Sequence, residues 1–258
     1  MSALSLSNGA TIIVDGTNKQ YHTKDDWGLV ITNTDCIGEP IQQTTYVNIP
    51  GGQQVDLSEV LMGRPVFIKR EIKIVLSGIR ERYTGWDSVI STIRNSIHGR
   101  KCKVIFDNDK SYYYYGRIEV KDFNSLMSLG TLTIDIPDAD PYKYNIADST
   151  EKWLWDSFSF EEGTTERYNS VVVSPSTTKT IIIPKGRMEV SPTIIATFSS
   201  GTPSSAKVSL TYKKNKYSIP AGEFYDPRIK INGDEEVELK FTTSYSAVLK
   251  IIYRGGSL

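Results

Sequence analysis

Histidine and cysteine, which often serve as nucleophiles, general bases and metal ligands, are scarce in this sequence. The 258 residues include two of each. His98 lies at the C-terminal end of a predicted helix, where positive charge is favoured by the helix dipole, and His22 lies in a polar loop that we expect to be solvated. Cys36 and Cys102 are isolated, and Cys102 lies in an apolar, strand-like run, so we interpret it as a small core residue. These side chains predict neither a nucleophile–base pair nor a metal site.

Carboxylates give the next candidates for chemistry. Asp107 and Asp109 flank Asn108 in a pattern that faintly resembles a calcium loop, but the following glycine and the distal glutamate are missing. A hairpin turn explains this segment better. The sequence also lacks HExxH, GxSxG, phosphate-loop and paired CxxC patterns. We therefore predict no enzyme, no metal and no cofactor, although a pair of catalytic carboxylates would leave no spacing signature.

Four consecutive tyrosines, Tyr112, Tyr113, Tyr114 and Tyr115, point to binding. Successive strand residues face opposite ways, so both faces of their strand carry tyrosine. One pair could be core and the other partly exposed packing. Alternatively, one pair could lie at a subunit interface, where tyrosine is enriched.

Three other aromatic residues are candidates for carbohydrate binding. Trp153 and Trp155 fit either the core of a β-sandwich or a platform on which a sugar ring stacks, and Tyr217 is a further stacking candidate. A carbohydrate-binding module that recognises host cell-wall glycans is therefore the alternative function.

One helix must help to position these side chains. Within Thr84–Gly99, apolar residues recur at spacings of three and four, which predicts a single apolar stripe. The stripe consists of Trp86, Val89, Ile90, Ile93 and Ile97. Thr84 can cap the N-terminus, and Gly99 supplies the left-handed stop. A helix this rich in Ser, Thr, Val and Ile is not stable alone in water, so it must lie on a sheet.

Strands dominate the rest of the chain. Val66–Leu76 and Tyr112–Phe123 are the long predicted strands on either side of the helix. Pro137–Tyr142 contains two prolines and three turn-forming residues, which cannot continue a central strand, so we predict a domain boundary there. Residues 141–258 then show eight short strands between turns and no helix, which is typical of a β-sandwich. The predicted fold class is mainly β, with an α+β domain over 1–140 and a sandwich over 141–258.

Charge and hydropathy exclude several classes of protein. Lysine plus arginine number 30 and aspartate plus glutamate number 30, which argues against a dedicated nucleic-acid or membrane-surface binder. We expect no signal peptide, because the first residues lack a basic region and a long apolar run, and no apolar run in the sequence reaches membrane-spanning length. Two isolated cysteines favour a reducing compartment. We expect a soluble protein, made in a cytoplasm and without a membrane anchor.

An ordered set of motifs over residues 1–145 resembles the distal tail proteins of bacteriophages with long non-contractile tails. The motifs are Trp27-Gly28-Leu29, Val47-Asn48-Ile49-Pro50-Gly51-Gly52, Asp56-Leu57-Ser58-Glu59, Arg70-Glu71-Ile72, Ile97-His98-Gly99-Arg100, Tyr113-Tyr114-Tyr115-Gly116-Arg117 and Asp140-Pro141-Tyr142-Lys143. The order of the set, more than any single motif, carries the resemblance.

The resemblance implies a fold and a structural function. Residues 1–140 would form a ring-forming domain with a sheet barrel or sandwich, one helix and an extended hairpin, and residues 141–258 a galectin-like β-sandwich. Six copies would close into a ring at the distal end of the tail. The implied partners are the major tail or tube protein, a tail-associated hub or lysin protein, and receptor-binding or baseplate proteins. DNA would only pass through, and the protein would be assembled in the bacterial host cytoplasm and reside at the tail tip of the virion.

The ring interface is expected along the extended strands that flank the helix, since a ring needs two different adhesive surfaces on each subunit. The predicted interface residues are Pro50, Gly51, Gly52, Asp56, Tyr112, Tyr113, Tyr114 and Tyr115.

Overall fold

A computed structural model describes residues 8–17, 19–58, 60, 65–79, 84–126, 129–149 and 168–258. The described chain forms two compact units, one within residues 1–143 together with Leu258 and the other within Tyr144–Ser257. Antiparallel strands dominate both units, and the predicted mainly β fold class is confirmed.

The first unit contains the described helix. Its elements are β1 (Ala10–Val14), β2 (Gln20–His22), β3 (Val30–Ile31), β4 (Ile41–Gln42), β5 (Tyr46–Asn48), β6 (Gln54–Asp56), β7 (Phe67–Ile79), α1 (Thr84–Ile97), β8 (Lys101–Phe106), β9 (Tyr112–Arg117), β10 (Glu119–Leu126) and β11 (Leu129–Ala139). In one sheet β2, β1, β8 and β9 are successive neighbours, and in another β10, β11, β7 and β3, with β4 also paired to β7. Both sheets and α1 contribute side chains to one hydrophobic core.

The helix α1 agrees with its predicted pattern. Trp86, Ile90, Ile93 and Ile97 are buried, and Val89 packs partly against the core. Burial of each such side chain stabilises the fold by roughly 1.5–3 kcal/mol, which offsets the weak intrinsic helicity. Gly99 ends the helix with a φ of 72°, a conformation in which a Cβ would be strained.

The predicted strand Tyr112–Phe123 is two strands, because β9 and β10 belong to different sheets. The change occurs at the fully buried Ile118. Its N–H donates to the carbonyl of Arg100 at 3.0 Å, and its carbonyl accepts the N–H of Gly99 at 2.8 Å. The single-strand prediction was wrong because the alternating pattern continues through a residue that bonds to the end of the helix.

The strand β11 continues through Pro137 to Ala139, so the prediction that proline ends the strand was wrong as well. The pairing of β11 with β7 shifts register between Ile136 and Ala139. Proline is tolerated at such a bulge, because the residue there does not need an N–H for the ladder.

The second unit is a β-sandwich, as predicted. Its strands follow β12 (Lys143–Asn145) and are β13 (Val171–Val173), β14 (Thr178–Ile183), β15 (Thr193–Phe198), β16 (Lys207–Tyr212), β17 (Asn215–Pro220), β18 (Gly222–Tyr225), β19 (Val237–Thr243), β20 (Ala247–Ile252) and β21 (Gly256–Ser257). One sheet has the order β13-β20-β15-β18 and the other β14-β19-β16-β17. Their inward side chains form one core. The part of the predicted sandwich at residues 150–167 lies outside the described residues.

The guanidinium of Arg70 lies inside the first unit, because Arg70 occupies an inward-facing position of β7. The side chain is 3% exposed, and its Nε and Nη2 have no hydrogen-bond partner. The guanidinium carbon lies 5.4 Å from the ring centre of Tyr114, and burial lowers the pKa of Arg70. The buried face of β7 begins at this residue, because Ile68, two positions earlier in the same alternation, is 57% exposed.

We expect Arg70→Met to raise the free energy of unfolding by about 1–3 kcal/mol, since it removes two unpaired buried donors and retains a flexible unbranched side chain. Urea denaturation measures the change. Lys73→Met, at an exposed position on the same strand, is the matched control and should stay within about 0.5 kcal/mol of the parent. A destabilised Arg70→Met protein would show that the contact with Tyr114 outweighs the desolvation cost.

Candidate functional site: an exposed arm and a tyrosine face

The strands β5 and β6 form a two-stranded sheet of their own, and we call residues 45–58 the arm. The N–H of Gly52 donates to the carbonyl of Ile49 at 2.9 Å. Between them lie Pro50 and then Gly51, whose φ is 75°. Proline followed by a positive-φ glycine is the signature of a type II turn, so Pro50-Gly51-Gly52 sets the reversal at the tip.

Asp56 fixes the base of the arm. Its carboxylate accepts hydrogen bonds from the hydroxyl and from the backbone N–H of Ser58, and these two bonds lower the pKa of Asp56. The Ser58 hydroxyl oxygen in turn accepts the N–H of Thr45 at 2.9 Å. Asp56 therefore helps to tie the two ends of the arm together through Ser58.

The apolar side chains of the arm are open to solvent. Val47 pairs with Val55 across the two strands, and Ile49 follows Val47 in the same alternation. Their exposed fractions are 45%, 39% and 51%, and Tyr46, on the other face, is 52% exposed. An isolated two-stranded hairpin is marginally stable in water, and contiguous exposed apolar surface typically marks a binding site.

The arm and the residues leading into it are nearly uncharged. Among the 18 residues Ile41–Ser58, Asp56 is the one charged side chain, whereas the chain average of 23% would give about four. Protein interfaces are depleted of charge at their centre and use neutral polar groups for hydrogen bonds. Together, the exposure and composition of the arm favour a surface that another protein covers.

The tyrosine run alternates between core and surface. Tyr112 and Tyr114 are each 6% exposed, whereas Tyr113 and Tyr115 are partly exposed on the opposite face of β9. The first pair is therefore core. An interface role for the second pair stays a prediction.

The partly exposed pair is held by neighbouring charged groups. The Nζ atoms of Lys103 and Lys101 lie 5.2 and 5.6 Å from the ring centres of Tyr113 and Tyr115, respectively, within the range of a cation–π contact. The Tyr115 hydroxyl donates to the carboxylate of Asp15 at 2.6 Å. We call these five residues the tyrosine face. Ordered tyrosines bind with little loss of side-chain entropy, which makes them effective contact residues.

The bond to Asp15 predicts an unusual titration. It raises the pKa of Tyr115 to about 12, compared with about 10 for an unperturbed tyrosine. Because the pKa is raised on folding, the stabilisation is present below pH about 10 and is lost as the pH rises through about 12. Ultraviolet phenolate titration of the parent, with Tyr115→Phe to identify the signal, should show this ionisation. Asp15→Asn should move it toward 10, and an unchanged titration would contradict the contact.

Strand pairing does not bring the two predicted parts of the interface together, because the arm and β9 belong to different sheets. Of the carbohydrate-stacking candidates, Trp153 and Trp155 lie outside the described residues. Tyr217 packs partly against the core of the second unit. The guanidinium carbon of Arg228 lies 5.5 Å from its ring centre, so one face of this ring is already covered.

Both histidines have structural partners. His22, predicted to be solvated, is only 19% exposed in its side chain, and its Nε2 lies 3.3 Å from both carboxylate oxygens of Asp107. His98 Nδ1 accepts the N–H of Val120 at 3.0 Å, which makes the imidazole a hydrogen-bond acceptor at this contact. In the described ranges, no group of three or more His, Cys, Asp or Glu side chains is placed to hold a metal. Nor is any helix there long and apolar enough to cross a membrane.

The sequence matches no family model and no curated protein. The backbone, however, aligns with the crystal structure of SPP1 Dit, a paradigm of the hub adsorption apparatus in phages that infect Gram-positive hosts. The alignment covers 95% of this chain and 98% of Dit, with a TM-score of 0.59 and 14% sequence identity. The two chains share a fold. The resemblance expected from the ordered motifs is thus found in the architecture of nearly the whole chain.

Proposed function

We propose that this chain is a structural virion protein that forms a ring at the distal end of a phage tail. The ring connects the tail tube to the tail-tip hub and carries the host-adsorption apparatus. The observation that carries the proposal is the uncovered, nearly uncharged arm in a fold shared with a hub adsorption protein. Its partners are further copies of itself, the tube protein, a hub or lysin protein, and receptor-binding or baseplate proteins.

The ring closes when the arm of one copy docks on the tyrosine face of the next. A contact between two different surfaces is heterologous, and it gives a closed ring when the rotation between copies returns to its start. The apolar side chains on one face of the arm would cover the rings of Tyr113 and Tyr115. These side chains belong to Val47, Ile49 and Val55. Six is the number of copies that the distal tail resemblance implies.

Chemical complementarity supports this docking. The arm presents amide and hydroxyl groups from its Gln, Asn and Thr residues beside its apolar side chains. The tyrosine face presents phenol groups and two lysines. Aromatic anchors with a polar rim are typical of protein interfaces. On the arm, Asp56 at the base is the one charged side chain that the docking would have to desolvate.

Balanced charge suits the proposed passage of DNA. A protein that neutralises many phosphates with lysine and arginine binds DNA tightly and in a salt-dependent manner. A conduit at the tail tip should release DNA during ejection, and a chain with 30 basic and 30 acidic residues has no overall excess of positive charge to hold it. The role requires no covalent chemistry, and the ring resides in the virion after assembly in the host cytoplasm.

Light scattering on a size-exclusion column, combined with negative-stain images over a concentration series, tests the proposal. We expect the mass to rise with concentration to a defined oligomer, with ring-shaped views that enclose a central opening. A monomer at every concentration, with no rings in the images, would overturn the proposed function.

A further inference from the structure

A basic recess lies on the second unit, beside the turn between β16 and β17. Its volume is about 430 Å³, which is within the usual range of small-molecule sites, roughly 300–1,000 Å³. The residues that line it include Glu189, Lys213, Lys216, Tyr217, Arg228 and Lys230. Four cationic side chains therefore meet one carboxylate around a small space.

Three of the four cations are lysines. Lys213, Lys216 and Lys230 form no ion pair within the described chain. Arg228, by contrast, is held by two bonds to Asp226, from Nε at 3.0 Å and from Nη2 at 2.6 Å. The guanidinium of Arg228 is thus already paired with Asp226, so the three lysines are the groups available to bind an anion.

A second recess adjoins the first. Its volume is about 390 Å³, and Lys216 and Tyr217 line both recesses. Hydroxyl-bearing side chains make up most of its remaining wall, among them Ser209, Ser218 and Thr242. A positively charged space followed by a hydroxyl-lined space fits a ligand that combines anionic groups with hydroxyl groups.

We propose that these two recesses bind an anionic glycopolymer in which polyol or sugar units are joined by phosphodiesters. Lysine binds phosphate as a flexible point charge, whereas planar bidentate recognition of a carboxylate favours a free arginine. Nucleic acid fits less well, because single strands are bound by stacking bases on open aromatic rings, and Arg228 covers the ring of Tyr217. This proposal does not depend on ring formation.

Titration calorimetry of the full chain with poly(glycerol phosphate) tests the assignment. We expect measurable binding that weakens at high salt, since phosphate contacts release counterions. Lys216→Gln combined with Lys230→Gln should weaken binding at least tenfold. Lys179→Gln, an exposed lysine on the opposite edge strand of the same sheet, is the matched control and should change it less than twofold. Thermal unfolding confirms that each variant is folded.

Other polymers decide the chemical class. Dextran tests the neutral glycan alone, polygalacturonate tests the carboxylate polymer, and oligothymidylate and polyglutamate test nucleic acid and acidic protein. Preference for poly(glycerol phosphate) over all four supports the proposal. It is overturned if the parent protein does not bind this polymer, if the double variant binds as tightly as the parent, or if any comparison polymer binds equally well.

Discussion

Self-association will weaken by at least about a thousandfold when the apolar face of the arm is made charged with Val47→Lys and Val55→Glu together. The two positions pair directly across β5 and β6, so opposite charges there retain a favourable cross-strand contact and preserve the hairpin. The interface, however, would have to desolvate two charges where it previously covered two valines. Such a penalty amounts to several kcal/mol, and each 1.4 kcal/mol is a tenfold change in affinity. Sedimentation over a concentration series measures it.

The matched control is Val172→Glu, which charges a valine of similar exposure on the second unit. Val172 is 56% exposed, compared with 45% for Val47. We expect this control to associate like the parent protein, and both variants to unfold at the parent temperature. If the arm variant associated as the parent does, the arm would not be the contact surface.

Gly130→Ala will destabilise the first unit by about 2–3 kcal/mol, because a Cβ there would lie 2.5 Å from Cε2 and 2.6 Å from Cζ2 of Trp86. Trp86 is only 1% exposed and packs against Phe123, with ring centres 5.4 Å apart. The ring cannot move aside without disturbing the core, so overpacking should reach the upper part of its usual range. Gly130 pairs across the sheet with Gly78, and a Cβ at Gly78 would also approach the Trp86 ring, at 3.7 Å.

Gly233→Ala provides the comparison for this substitution, since a Cβ at Gly233 would make only ordinary contacts, the nearest 3.6 Å away. Urea denaturation should place this control within about 0.5 kcal/mol of the parent protein. Equal stabilities of the Gly130→Ala and Gly233→Ala proteins would show that the packing of the Trp86 indole does not require a glycine at position 130.

Local sequence patterns predicted those elements that pack against a single core along their whole length. The apolar stripe of α1 is buried as predicted, and the second unit has the predicted short strands of a β-sandwich, because each of these elements packs regularly against a single core. The division at Ile118 escaped prediction. The strand pattern is the same on both sides of it, and only the bonds to the helix end, distant from the pattern, reveal the change of sheet.

The sequence predicted the turn at the tip of the arm, but it could not predict which side chains of the arm are exposed. Proline followed by two glycines indicates a reversal from sequence alone. Whether Val47 is covered depends on every other segment of the chain, and so could not be deduced from the strand itself. The contact of His22 with Asp107 joins positions 85 residues apart, so no local pattern could have replaced the prediction of a solvated loop.

Photo-crosslinking from the arm tests the central claim most directly. A photoreactive phenylalanine analogue replaces Tyr46, which is 52% exposed, in an equal mixture of isotopically light and heavy protein, and mass spectrometry identifies the crosslinked peptides. We predict mixed light–heavy crosslinks from the arm to the outer residues of β8 and β9, including Tyr113 and Tyr115. Crosslinks confined to single copies, or joined to some other surface of the neighbour, would contradict the proposed docking of arm on tyrosine face.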